Sequence, residues 1–323
     1  MDTGSHLLLG VTLAGLAAID PVVATNENVA TAVLIGTLIG SNAPDFDSVV
    51  RIKGEAAYLR HHRGLTHALP ALPLWALLIV LPLSWSFGIM DHITTLLLWV
   101  FAAVCLHVGL DLLNAYGVQC FRPFSKRWWH MDVLCLFDPY LFALHTTGAV
   151  IWMTGKLPPG PMFGWIYLIS LLYIVWRIVK SRKITRMIRK RLGTSGPLTL
   201  IPDLSGACWQ FTAETVDKYI IGTVRGGIIH EKTELKITKD NTSHPVVRAT
   251  LNTDGVRAFL HFAERVHVEW KERLDGYEVT WSDVRFWHNQ KMPFGVAVTL
   301  DRDMNVIQDR LGWNKKTWEP PHV

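Results

Sequence analysis

The chain has 323 residues, of which 50% are hydrophobic and only 18% charged, and its formal net charge is +5. This composition excludes a wholly water-soluble protein, because the last third of the chain resembles an ordinary soluble domain and the apolar excess must precede it. The basic excess does not predict nucleic-acid binding, since residues 198–323 contain 16 Lys and Arg against 17 Asp and Glu.

Long apolar runs with few charges occupy the first part of the chain. There are six, at residues 7–23, 29–43, 68–90, 93–113, 136–153 and 162–179. Several approach the roughly 20 residues that a membrane-spanning helix needs, although the second is short. We therefore predict a polytopic α-helical membrane domain of six transmembrane helices over residues 1–180. The first run lacks a preceding basic segment and a cleavage site, which favours a retained helix over a signal peptide.

The distribution of basic residues predicts an orientation for this domain. The connections after the second, fourth and sixth runs are rich in Lys and Arg, whereas the other connections contain only Lys156. By the positive-inside rule, we expect both termini and the two large loops of this multi-pass protein to face the cytoplasm.

Residues 181–196 have the pattern of a basic amphipathic helix and linker. Apolar side chains recur at helical spacing between basic ones, at Ile184, Met187, Ile188 and Leu192. This pattern predicts a helix that lies along the inner leaflet and is attracted to anionic lipid; a stop-transfer charge cluster is the alternative.

Residues 197–323 alternate apolar and polar side chains in three stretches, at 235–237, 277–281 and 296–300. One helical stripe falls at 254–266. These patterns predict a small β-rich α+β cytoplasmic domain.

Residues that bind metals accumulate at the inner ends of the predicted spans. The candidate ligands are His6, Asp45 or Asp47, His62, His67, His107 and Asp111. His107 and Asp111 lie one helical turn apart on one face, although a buried His–Asp hydrogen bond would have the same spacing. Of the adjacent His61 and His62, one is expected to be the ligand.

Imidazole and carboxylate groups together suit zinc, manganese or iron. The number of ligands exceeds the need of one structural zinc, so we expect two divalent ions, most simply zinc. In the catalytic roles, Asp45 or Asp47 would bridge metals or take a proton, and Arg63 would bind a phosphate unless it only anchors the chain at the membrane. Thr66 would orient a ligand or a metal-bound water.

The order of these motifs resembles the YdjM/YfhP family of integral-membrane, metal-dependent hydrolases, and the long tail is closest to the YfhP type. The resemblance depends on His6, Pro44-Asp45-Phe46-Asp47, the element from His62 to His67, and His107 with Asp111 and Asn114. More distantly it is similar to the zinc-dependent phospholipase C and single-strand nuclease superfamily. That likeness implies phosphoester hydrolysis and six metal ligands, which are His6, Asp47, His62, His67, His107 and Asp111. The resemblance to the YdjM/YfhP family implies a location in the bacterial inner membrane.

The sequence therefore predicts a membrane-bound hydrolase that uses metal-activated water on a lipid or lipid-linked phosphoester. Two alternatives remain open. One is a metal or proton transporter that uses the same residues, and the other is a non-catalytic, membrane-anchored regulator that acts through its cytoplasmic domain. The expected partners are anionic lipid of the inner leaflet and the substrate, and no nucleic acid is expected.

Overall fold

The computed structural model describes residues 1–237, 243–288 and 291–313. It divides into two compact units. The helical unit comprises residues 1–47 and 63–182, and the sheet unit comprises residues 48–62 with the chain from residue 183 onward. A helical domain with apolar helices followed by a β-rich α+β domain, the predicted fold class, is confirmed. The structure differs in segment 48–62, which we expected within the membrane domain and which belongs to the sheet unit.

Each of the six apolar runs contains one long helix. They are α1 (Thr3–Ala17), α3 (Glu27–Gly40), α5 (Ala71–Ser86), α6 (Ile93–Leu112), α7 (Pro139–Met153) and α8 (Pro159–Leu192), with a short α2 (Pro21–Thr25) after α1. Capping side chains mark where α1 and α7 begin. Asp2 accepts a hydrogen bond from Ser5 N, and Asp138, followed by a proline, accepts from Tyr140 N and Leu141 N.

Among the described residues, two helical segments are long and apolar enough to cross a membrane alone, Met90–Leu112 and Pro159–Leu192. Two bent helix pairs raise the number to four if each pair counts as one span. α1 has 15 residues, which is short for a span. Apolar helices of spanning length agree with a membrane protein, and the number of six spans stays a prediction.

α3 and α6 approach each other closely, because glycines of α3 lie at their contact. Gly36 faces α6, where an added Cβ would lie 2.6 Å from a methyl carbon of Val100, and a Cβ on Gly40 would lie 3.1 Å from the Val100 carbonyl oxygen. Small residues at such crossings let helix backbones approach. Ala32, Val33 and other small side chains fill the core around this contact.

The last turns of α8 belong to the sheet unit. Ile184 and Ile188 are buried in one cluster with Trp209 and Phe211 of the first sheet, and Met187 and Leu192 pack against it. The predicted amphipathic helix therefore exists, but its apolar stripe contacts protein instead of the inner leaflet, while the basic side chains between these residues are exposed.

Two antiparallel four-stranded sheets follow, each with its strands in chain order. The first contains β1 (Leu198–Pro202), β2 (Cys208–Glu214), β3 (Lys218–Arg225) and β4 (Ile228–Lys236), and the second contains β5 (Val266–Arg273), β6 (Gly276–Asp283), β7 (Phe294–Leu300) and β8 (Val306–Trp313). The three stretches predicted as strands lie largely in β4, β6 and β7. Burial alternates along β7, as the alternation of apolar residues predicts.

Two short helices separate the sheets, α9 (Pro245–Thr250) and α10 (Asp254–Phe262). α10 begins at a Thr253 cap and is the helix predicted over 254–266, four residues shorter. It packs against α4 (Glu55–His61), the helix of segment 48–62. Arg60 Nη2 donates to the Asp254 carbonyl oxygen at 2.9 Å and also to the Asp254 carboxylate. This contact explains why segment 48–62 groups with the sheets.

Candidate metal centre

Four of the predicted residues converge in the helical unit. Asp45 lies on a 3-10 segment after α3, His67 ends a short 3-10 turn before α5, and His107 and Asp111 lie on α6. One ligand atom from each lies within 4.8 Å of those of the other three. His67, His107 and Asp111 are almost completely buried.

Five of the six separations among these four atoms suit a tetrahedral ion, and the sixth, between Asp45 and Asp111, is within 4.8 Å. The Nε2 atoms of His67 and His107 are 3.2 Å apart. Asp45 Oδ1 lies 3.4 and 3.6 Å from these two nitrogens, and Asp111 Oδ2 lies 3.6 and 3.7 Å from them. A tetrahedron with edges of about 3.5 Å has its centre about 2.1 Å from each corner, which is the length of Zn–N and Zn–O bonds in proteins.

Hydrogen bonds on the outer side of each imidazole determine which nitrogen faces the centre. His107 Nδ1 lies 2.6 Å from the Ser41 carbonyl oxygen, and since a carbonyl only accepts, Nδ1 carries the proton. The Nε2 lone pair of His107 therefore points toward Asp45 and Asp111. A carbonyl behind a ligating imidazole is a common way to orient it.

His67 is oriented by a relay of two further side chains. Thr66 Oγ1 donates to Asp47 Oδ2 at 2.5 Å, so its oxygen accepts from His67 Nδ1, 3.0 Å away. In the neutral imidazole, Nε2 of His67 then carries the lone pair on the inner side. Two imidazole lone pairs and two carboxylates thus surround one point, an arrangement that a cation stabilises.

Asp47 lies behind His67 and outside this four-atom set. Its Oδ2 accepts from the backbone N of Arg63 at 3.1 Å as well as from Thr66. We predicted Asp47 as a ligand and Asp45 as the bridging or proton-accepting group. In the structure Asp45 is the carboxylate beside both imidazoles, and Asp47 supports the loop that carries His67.

The two carboxylate oxygens of Asp111 have different neighbours. Among the described residues, no hydrogen-bond donor reaches its buried Oδ2, which faces His67 and His107. Its Oδ1 contacts the α-amino group of Met1 and lies 3.4 Å from His6 Nε2. The His6 ring stacks on His107 with centroids 3.9 Å apart. His6 is therefore beside the centre, on the other side of Asp111.

Arg63 is buried at the same carboxylate, with 7% of its surface exposed. Its Nη2 donates to Asp111 Oδ1 at 3.1 Å and its Nη1 to Asn114 Oδ1 at 3.2 Å. Its φ of 59° is rare for a residue with a side chain. Two hydrogen bonds hold the Arg63 backbone in this conformation. Its N–H donates to Asp47 Oδ2, and its carbonyl oxygen accepts from Gln119 N. The guanidinium thus faces the centre instead of anchoring the chain in lipid headgroups.

The remaining polar candidates are not members of the four-residue set. His62 follows α4 in the sheet unit, with its ring stacked on Tyr58 at 4.5 Å, and the exposed His61 is 2.8 Å from the Ala57 carbonyl oxygen. Neither belongs to the four-residue set, and the choice between them stays a prediction. His130 pairs with Asp132 at 2.5 Å. Asp138 caps α7.

Sequence reasoning missed two groups at the centre. The Ser41 carbonyl behind His107 left no signal, because every residue offers a carbonyl. The α-amino group of Met1, 2.9 Å from His6 Nε2, is a backbone group as well. Asn114, one of the residues that carry the family resemblance, hydrogen-bonds both Arg63 and Asp111.

Apolar helices around a buried imidazole–carboxylate cluster, joined to an α/β unit, define a membrane protein with a candidate metal centre. Comparison with known families agrees with this class. Residues 1–184 match the YdjM inner membrane protein family, and residues 245–319 match the YfhP C-terminal alpha/beta plait domain. The chain therefore belongs to the YdjM family, as its motifs predicted.

One relative covers nearly the whole chain. It is the uncharacterized protein YfhP of Bacillus subtilis (strain 168), with 34% identity over 315 residues that span 97% of this chain and 95% of YfhP. No solved structure matches the chain. The comparisons establish the family and leave its chemistry to be argued from the residues.

Proposed function

We propose that the chain is a metal-dependent hydrolase that cleaves phosphoesters at the membrane face. One observation carries the proposal: four buried or half-buried donor atoms from Asp45, His67, His107 and Asp111 have the spacing of a tetrahedral ion. Both imidazoles present lone pairs to a point already flanked by two carboxylates. Such a set is costly to bury unless a cation balances it.

The donor chemistry favours zinc, with manganese or iron as alternatives, because nitrogen and oxygen ligands are mixed. Asp111 Oδ1 and His6 Nε2, 3.4 Å apart, are the donors that we propose for a second ion, with Asp111 as the shared ligand. Divalent ions in such sites acidify bound water and polarise phosphoryl oxygens.

The chain's own side chains would supply the remaining roles. The Asp45 carboxylate is partly exposed, at 21%, so it can contact both the ion and an incoming water and would accept the proton of that water. Arg63, fixed by Asp111 and Asn114, would direct its other N–H groups toward a phosphoryl oxygen. Thr66 holds His67 in place.

The predicted membrane topology suggests at which membrane face the centre would lie. The basic connections favour cytoplasmic termini and a centre at the cytoplasmic face of the bacterial inner membrane. A substrate reaching that face from the bilayer would be a lipid or lipid-linked phosphoester. Both statements are proposals that follow from charge distribution and helix composition.

Metal analysis of the full chain in detergent, followed by hydrolysis of bis(p-nitrophenyl) phosphate, tests the proposal. We expect a stoichiometric transition metal in the wild type and its loss, together with activity, in His67→Ala and Asp111→Ala. His92→Ala, at the opposite end of α6 from Asp111, is the matched control and should keep both. Wild-type protein without metal, or ligand variants with full activity, would refute the proposal.

Transport is the second candidate function, and one observation supports it. His145 of α7 is buried among helices, with Nδ1 2.8 Å from Thr12 Oγ1 and Nε2 3.0 Å from Ser170 Oγ. Buried ionisable groups in membrane helices often mark ion or proton paths. Metal uptake or acidification by proteoliposomes that stops in His145→Ala, with the hydrolase assay silent, would favour this function.

A further inference from the structure

The loop between α6 and α7 lies directly beside the segment that carries Arg63 and His67. We name residues 118–131 the rim loop. Val118 and Trp129 exchange backbone hydrogen bonds of 3.0 and 2.9 Å, which close its two ends. Gln119 N donates to the Arg63 carbonyl oxygen, and the Cys120 carbonyl oxygen accepts from Leu69 N, both at 2.9 Å. The rim loop is therefore fixed to the backbone of the candidate metal centre.

The rim loop exposes large aromatic side chains. Phe124 is 91% exposed, Phe121 43% and Trp129 38%. On the neighbouring segment, Leu65 and Leu69 are 58% and 52% exposed. An apolar surface of this kind beside a functional centre is unusual for a face in contact with water and is typical of a surface that binds a partner.

Basic side chains are interleaved with these aromatic ones. Lys126 and Arg127 are exposed, and the Arg127 guanidinium lies 4.9 Å from the Trp129 ring centroid. Aromatic rings concentrate at membrane–water boundaries, and Lys and Arg beside them are attracted to anionic headgroups. The loop follows α6, which is long and apolar enough to cross a membrane, so a bilayer boundary is the surface that it would meet.

We propose that the rim loop binds the anionic headgroup region of the bilayer and holds a phosphate-bearing lipid next to Arg63. Phe121, Phe124 and Trp129 would enter the headgroup–acyl boundary, and Lys126 and Arg127 would pair with lipid phosphates. The first part, lipid binding by the loop, stands on this surface alone. The second part, lipid as the substrate class, rests on the proposed hydrolase function.

An environment-sensitive fluorescent amino acid at position 124 of the full chain tests the first part. In nanodiscs of phosphatidylcholine mixed with phosphatidylglycerol, we expect blue-shifted emission, and a smaller shift in phosphatidylcholine alone. The same label at position 274, a leucine 92% exposed in the β5–β6 turn, serves as the control for an aqueous position. Water-like emission at position 124 in both compositions overturns the inference, whatever the enzyme activity.

Hydrolysis in the same nanodiscs tests the second part. In Lys126→Gln/Arg127→Gln and in Phe124→Ser we expect phosphatidylglycerol hydrolysis to fall on the order of tenfold, with unchanged metal content and unchanged hydrolysis of bis(p-nitrophenyl) phosphate. Lys232→Gln/Lys236→Gln removes the same charge from β4 and should change neither rate.

The two assays separate the two ways of failing. A wild type that cleaves only the soluble ester, or variants that cleave phosphatidylglycerol at the wild-type rate, would overturn lipid as the substrate class while the hydrolase stands. A wild type that contains no metal and cleaves neither ester would refute the proposed hydrolase, and with it the lipid substrate, while the fluorescence result still decides lipid binding by the loop.

Discussion

Thr66 connects a carboxylate to an imidazole and contacts both within hydrogen-bond distance. Its hydroxyl bonds Asp47 on one side and His67 on the other, at 2.5 and 3.0 Å. Groups that orient a metal ligand in this way commonly contribute about 10–100-fold to metal affinity. The small threonine side chain can therefore matter as much as a weak ligand, although it would not touch the ion.

Replacing Thr66 by Ala is expected to weaken metal binding by about 10–100-fold, because His67 loses the partner that fixes its tautomer and ring orientation. Thr66→Ser keeps the hydroxyl and should restore most of the affinity. Competition with a chromogenic chelator measures both variants in detergent. Equal affinity of Thr66→Ala and wild type would show that the relay does not orient His67.

The sequence identified these residues as candidates, but it did not predict how they are arranged. The spacing of His107 and Asp111 on one helix face follows from helical periodicity alone. Asp45 and Asp47, however, are two residues apart on a 3-10 segment, and only the fold distinguishes the one beside the imidazoles from the one behind Thr66. The Ser41 carbonyl cannot be read from a sequence at all.

At the scale of secondary structure, α4 lies in the chain between the two halves of the centre and packs on α10. Asp45 and Asp47 precede it, and Arg63 and His67 follow it. The Arg60–Asp254 pair joins side chains 194 positions apart, which no local pattern reports. The apolar runs, by contrast, each coincide with a helix, because hydrophobicity and periodicity are local properties.

Charge reversal tests the α4–α10 contact. Arg60→Asp should increase deuterium uptake of residues 55–61, and Arg60→Asp/Asp254→Arg should bring it back toward the wild-type level. Because the pair is partly exposed, we expect a coupling free energy of about 0.2–1 kcal/mol in the double-mutant cycle.

The control for this cycle is Arg302→Asp, which removes an exposed pair with Glu272 elsewhere in the sheet unit. It should leave uptake by residues 55–61 unchanged. Additive effects of the Arg60 and Asp254 substitutions would mean that apolar packing alone holds α4 against α10.

At the scale of the whole molecule, metal binding should stabilise the helical unit. Four segments supply the proposed ligands and their supports, so an ion that binds only the folded chain shifts unfolding by mass action, about 2.7 kcal/mol at a concentration of 100 times Kd.

Chelation is therefore expected to lower the melting temperature of the full chain in detergent, and added Zn²⁺ should restore it. Differential scanning calorimetry or intrinsic fluorescence measures the shift. Asp111→Ala should melt at the same temperature with and without chelator. If neither chelator nor zinc changes the wild-type melting temperature, the four side chains are held by hydrogen bonds alone.

The placement of segment 48–62 affects how the protein can be dissected. The polypeptide passes from one unit to the other at residues 47/48, 62/63 and 182/183. Removing all residues after the linker near Gly196 deletes α10. The truncation therefore exposes the face of α4 that α10 covers, a few residues before Arg63 in the chain. Lost activity in such a truncation would thus report damage to the centre as readily as a missing regulatory domain. Point substitutions on the surface of the second sheet are therefore a better test of a regulatory role for this domain.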